Sequence, residues 1–134
     1  MAYEQLHTQT IFRGRVFEIQ LDRVRLPNGK EMKMDLVIHR PAVTMIPVDA
    51  DGVIWFVRQF RYAAGKELLE LPAGVLEEGE DAEAGAGREL REEIGMAAGE
   101  LKRLGGFYLA PGYSSEYLHI YLARQLTPDR LPGD

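Results

Sequence analysis

Gly74-Val75-Leu76-Glu77-Glu78-Gly79-Glu80 and, across seven intervening residues, Arg88-Glu89-Leu90-Arg91-Glu92-Glu93-Ile94-Gly95-Met96 form the stretch whose reading decides this chain. The segment from Asp81 to Ile94 is expected to be a helix. Asp81 is a suitable N-cap, Glu83 favours the positive end of the helix dipole, and Gly95 stops it. Glu89, Glu92 and Glu93 then fall on one face at spacings of three and four, where like charges repel. A divalent cation reverses the sign of that repulsion, and carboxylate oxygens are the ligands that magnesium and manganese prefer. Arg88 is placed to hold a neighbouring carboxylate in one rotamer. Leu90 and Ile94, four apart, supply an apolar stripe for docking onto a sheet. A Glu-rich helix is ordinarily just a solvated acidic face. Here the spacing also involves Gly74, Glu80 and Gly95, which that bland reading does not require. Gly85 and Gly87 inside the helix cost roughly 1 kcal/mol each relative to Ala. Packing rather than propensity must therefore hold it.

Outward from this stretch the chain reads as strands. Val16 to Val24 alternates with period two, Pro27-Asn28-Gly29-Lys30 is a turn, and Glu31 to His39 returns as a hairpin partner. Ala42 to Val48 and Val53 to Phe60 follow, joined by Asp49-Ala50-Asp51-Gly52. The apolar run Val53–Val57 predicts a central strand covered on both faces, with a basic end at Arg58 and Arg61. Leu101 to Leu109 and Tyr117 to Leu122 flank Pro111-Gly112-Tyr113-Ser114-Ser115. Strands on both sides of one helix indicate an α+β sandwich. The 134 residues suit one domain, with 46% hydrophobic and 28% charged residues. A net charge of -5 gives no general attraction to nucleic acid or an anionic membrane. The absence of cysteine excludes disulfide and thiolate chemistry. Met1 to Thr10 is polar and unlike a signal peptide, and no apolar run reaches membrane-spanning length, so a cytoplasmic location is expected. His7, His39 and His119 are scattered and read as structural. Ser114 and Ser115 lack the Gly-x-Ser-x-Gly context of a serine nucleophile.

The two halves of the opening stretch together resemble the Nudix box, which is Gly, five residues, Glu, seven residues, then Arg-Glu-aliphatic-x-Glu-Glu-x-Gly-aliphatic. Every specified position is matched. The resemblance implies that Glu89 and Glu93 are principal metal ligands, with Glu92 a third and the backbone carbonyl of Ala73 a further one. Glu80 and Arg88 would orient these carboxylates. Val57-Arg58-Gln59-Phe60-Arg61-Tyr62, Glu67-Leu68-Leu69-Glu70-Leu71-Pro72-Ala73-Gly74, and Pro111 sixteen positions past Gly95 resemble the ADP-ribose pyrophosphatase branch. That branch implies substrate contacts from Arg61 and Glu116, with Phe17 stacking on adenine and Arg40 covering its other face.

The implied fold is a single Nudix domain over residues 1–134, an α/β/α sandwich of mixed sheet. Its N-terminal strands are expected at about 10–40 and its catalytic core at about 41–134. The implied reaction is magnesium-dependent hydrolysis of ADP-ribose to AMP and ribose 5-phosphate, manganese being able to substitute. A homodimer without nucleic-acid or membrane partners is implied as well. Similar proteins continue past the position of Leu131-Pro132-Gly133-Asp134 with an acidic loop, a strand and a helix. The final helix is thus expected to be missing, leaving Glu92 and Glu116 as candidates to activate the attacking water. Other nucleoside diphosphate derivatives, such as a GDP-sugar, and a nucleotide-binding sensor with weakened turnover are the alternative readings.

Overall fold

The structure is a computed structural model and describes residues 2–133. The chain divides into two compact units, Met1–Arg40 with Tyr108–Tyr117, and Pro41–Phe107 with Leu118–Asp134. Among the described residues, no helix is long and apolar enough to cross a membrane.

The first unit is built on an antiparallel sheet of β1 (Glu4–Arg13), β2 (Phe17–Arg25) and β3 (Glu31–His39), in that order. The β2–β3 hairpin closes where expected, with Gly29 at φ 86° and the Asn28 side chain accepting from the Lys30 amide at 3.0 Å. β1 was not expected from the sequence. Nearly all its side chains are exposed, so it has no hydrophobic alternation, and its pairing with β2 holds it. Asp22, 8% exposed, accepts hydrogen bonds from Thr8 Oγ1 at 2.5 Å and Gln5 Nε2 at 3.3 Å, which ties β1 to β2. Beyond β3, Val37 N–H donates to Tyr113 O and Ser115 N–H to Val37 O, so the Pro111 loop runs alongside this strand.

The second unit holds a mixed sheet in the order β7 (Ala73–Val75), β4 (Ala42–Pro47), β9 (Tyr117–Pro128), β8 (Met96–Tyr108). β4 runs antiparallel to β7 and parallel to β9. α1 (Ala82–Glu93), the one α-helix among the described residues, places Ala86 and Leu90, both 0% exposed, against Val43 and Met45 of β4 and Tyr121 and Ala123 of β9. Ala82 and Ile94 extend this stripe at intervals of four. Burying Leu90 completely means that cutting it to Ala would cost about 2–5 kcal/mol.

Val53–Phe60 is not the covered central strand that its composition predicts. Val53, Ile54, Phe56 and Phe60 are all exposed. The reason lies in Asp49, whose carboxylate accepts from the amides of Asp51 and Val53 and from Trp55 Nε1 at 2.9–3.0 Å. These bonds curl the chain into a turn, leaving only the isolated Val48–Ile54 bridge. A regular strand, β5 (Val57–Arg61), starts later and pairs antiparallel with β6 (Lys66–Glu70) in a separate two-stranded sheet.

Candidate active site

α1 begins at Asp81, whose side chain accepts from the Ala84 amide at 3.2 Å, and ends at Gly95 with φ 69°. That span brings Arg88, Glu89, Glu92 and Glu93 onto the last two turns. Arg88 is the hub. Its Nε and Nη2 donate to the two oxygens of Glu80 at 2.8 and 2.9 Å, and its Nη1 donates to Glu89 and to Glu92 at 3.0 Å each. Glu80 in turn accepts from the Glu77 amide, closing the loop before the helix. These charge-assisted bonds hold the Arg88 guanidinium firmly protonated and Glu80 below the usual carboxylate range, in both cases chiefly through their mutual hydrogen bonds.

Glu89 is the anomaly. It is 7% exposed, and burial pushes its carboxyl up to about 7, against the opposing pull of Arg88 and with added repulsion from Glu92 and Glu93. Its carboxylate lies against Gly74, where any Cβ would collide with it. Gly74 is therefore needed for close approach between β7 and the helix. Ala73 precedes it on β7, opposite Thr44 of β4, and Pro72 is tied down by Thr44 Oγ1 and Met45 N–H, both donating to its carbonyl at 3.0 Å. Glu93 is also pushed up, first by burial and further by Glu92 and Glu70, with Arg61 acting in the opposite direction.

Arg61, at the end of β5, donates from Nε and Nη2 to Glu70 at 2.7 and 2.8 Å. Glu70 is lowered chiefly by that hydrogen bond. The sequence reading missed this partner, although an acidic residue on the strand returning from Arg61 is a usable signal.

Among the described residues, no three imidazole or carboxylate side chains already converge as a cation cage. Glu89 and Glu92 instead converge on the Arg88 guanidinium. The donor set nevertheless fits a hard divalent cation. It consists of carboxylates on one helix end, one of them buried, destabilised as an anion and packed against Gly74.

The remaining sequence candidates lie in the first unit. Phe17 and Arg40 line one cavity of about 370 Å³ together with Gly14, Arg15, Glu18 and His39. The Phe17 ring is tilted at 47° to Phe12, centroids 6.3 Å apart. Glu116 has Oε2 3.9 Å from His39 Nδ1, while its own amide donates to Ser114 Oγ at 3.1 Å. His39 also meets the Arg40 carbonyl through Nδ1, a backbone contact compatible with the structural role expected for it.

The pattern of the NUDIX domain matches residues 38–134. Over 119 residues the chain is 41% identical to the ADP-ribose pyrophosphatase of Bacillus subtilis, spanning 89% of this chain and 64% of that protein. It is 40% identical over 122 residues to the methanol dehydrogenase activator of Bacillus methanolicus, spanning 91% of this chain and 66% of that one. The chain thus spans just under two thirds of the length of these relatives. A crystal structure of an ADP compounds hydrolase superposes with a TM-score of 0.89 at 28% identity, covering 100% of this chain and 73% of the other. With the domain pattern running from residue 38 to residue 134 through the carboxylate-bearing helix, this chain belongs to the Nudix family.

Proposed function

We propose that this chain hydrolyses the diphosphate of ADP-ribose to AMP and ribose 5-phosphate, using magnesium, with manganese able to replace it. The observation that carries this reading is Glu89, a buried carboxylate pressed against Gly74 and repelled by Glu92 and Glu93. Glu89 and Glu93, with Glu92 and the Ala73 carbonyl, would hold the metal. Such a metal would neutralise diphosphate charge and lower the pKa of water, so that loss of a proton would supply the nucleophile. The chain's own residues supply the rest. Arg88 keeps Glu80, Glu89 and Glu92 in fixed rotamers. Arg61 exchanges Glu70 for a phosphate oxygen, and Glu92 or Glu116 accepts the water proton. The cavity of Phe17 and Arg40 takes the adenine, with an aromatic face and a guanidinium as its stacking surfaces. The names of the similar proteins, an ADP-ribose pyrophosphatase and an ADP compounds hydrolase, support an ADP-containing substrate. The same reading has the enzyme working as a homodimer in the cytoplasm on a small-molecule substrate.

AMP release is expected with magnesium and not with EDTA, and ADP-ribose should exceed nucleoside triphosphates in kcat/KM. Glu93→Gln should fold and lose roughly 10²-fold or more in turnover, at least the loss typical for residues that support a metal site. Full activity of that variant, or a preference for triphosphates, would refute the assignment.

A further inference from the structure

The last carbonyls of a helix have no partner within it, and where their donors come from decides how firmly the final turn is held. In α1 the Ile94 amide donates to Leu90 O at 3.0 Å. The next two carbonyls are met from the far end of the chain. Leu131 N–H donates to Arg91 O at 3.1 Å, and Arg130 Nη1 donates to Glu92 O at 3.2 Å. Around them, Asp129 N–H donates to Gly95 O at 2.9 Å and Asp129 Oδ1 accepts from Arg91 Nη2 at 3.1 Å. Gly95 makes this approach possible. A Cβ there would stand 2.8 Å from both Nε and Nη2 of Arg130, in addition to the strain of its positive φ. A guanidinium over the negative end of the helix dipole is favourable in charge as well as in hydrogen bonding.

We propose that Arg130 is a positioning residue for the metal-binding carboxylates, acting through the last turn of α1. The inference rests on the metal reading above. Arg88 secures Glu89 and Glu92 by their side chains, but its hydrogen bonds do not include Glu93. Glu93 is the terminal residue of the helix, so its carboxylate is only as well placed as the backbone that Arg130 and Leu131 clamp. Letting that turn fray would leave the ligands present but disordered before the metal arrives, which weakens binding without removing a donor.

Manganese binding to the full chain, measured by calorimetry and by the paramagnetic resonance of free ion, tests this apart from activity. Arg130→Ala is expected to weaken binding about tenfold, within the range for residues that support a metal site. Arg130→Lys, which keeps a cation and a donor, should retain most of the affinity. Thr8→Val, which unties Asp22 in the N-terminal sheet, should lower thermal stability while leaving manganese affinity unchanged. Should Arg130→Ala not fold, Arg130→Gln is judged by the same criterion. Unchanged affinity in the folded neutral variant overturns the positioning role alone. A wild-type chain that binds no manganese overturns the metal reading and this inference with it.

Discussion

Arg61 donates from Nε and Nη2 to the two carboxylate oxygens of Glu70. The pair is bidentate but partly open to solvent, with the Arg61 side chain 46% and the Glu70 side chain 25% exposed. Its net worth is therefore about 1 kcal/mol or less. The sign with pH follows from the carboxylate. Glu70 is lowered from its ordinary 4.5, so its contribution to stability is complete above that value and disappears as pH falls through the depressed folded pKa. Glu70→Gln should accordingly lower the melting temperature by roughly 2–4 °C at pH 7, and the gap from wild type should close in strong acid. Thermal melts of both proteins across pH check this, and a gap that persists unchanged in strong acid would remove the ion pair as its cause. The same substitution frees Arg61, so the KM for ADP-ribose measured alongside shows whether Glu70 competes with the substrate.

In the helix, the two interior glycines that look alike in sequence are opposites in the structure. A Cβ at Gly85 would stand 2.3 Å from Leu76 Cδ2 and 3.0 Å from Glu80 Oε1, and Leu76 is itself buried in the core. Gly85 is thus required by the packing of the loop against α1, and the expected loss of propensity there is offset by contact. A Cβ at Gly87 would only touch Leu101 Cδ1 at 3.7 Å, an ordinary packing distance. Gly87→Ala should stabilise the protein by about 0.5–1 kcal/mol by reducing the freedom of the unfolded chain. Gly85→Ala should cost about 1–3 kcal/mol by overpacking and disturb the Glu80–Arg88 bonds. Chemical denaturation of the two variants decides it, and the same sign of effect in both would contradict the packing argument.

At the scale of the molecule, the outstanding feature is apolar surface left uncovered in the single chain. Phe56 is 48%, Phe60 62%, Tyr62 92% and Leu69 59% exposed, all between residues 56 and 69. Scattered exposed apolar residues are normal on a monomer, but several within one short stretch are a common mark of association. A homodimer that covered this stretch would account for them. Light scattering across a dilution series is expected to show a dimer, and Phe56→Glu is expected to shift the equilibrium towards monomer. A wild-type chain that stays monomeric at high concentration would leave the composition of this hairpin to another cause.

The helix, its caps and the set Arg88, Glu89, Glu92 and Glu93 were legible in the sequence because they rest on spacing within one turn or two. The fixed geometry of an α-helix converts such spacing directly into a shared face. The β2–β3 hairpin was legible for a similar reason, since Asn28-Gly29 encodes its turn locally. Other features depended on which distant groups came to meet. β1 has no hydrophobic alternation and exists through its pairing with β2. The apolar run from Val53 failed as a covered strand because Asp49 drew its backbone into a turn. The Glu70 partner of Arg61, the Leu76 side chain that demands Gly85, and the Arg130 guanidinium over Gly95 are contacts between separate elements. Periodicity is a property of neighbours along the chain, whereas burial and hydrogen-bond partnership are properties of the packed fold. For that reason the carboxylates and the Arg88 that holds them could be placed on one helix end from the sequence, but Glu70 beside Arg61, Leu76 against Gly85 and Arg130 over Gly95 were decided only by tertiary structure.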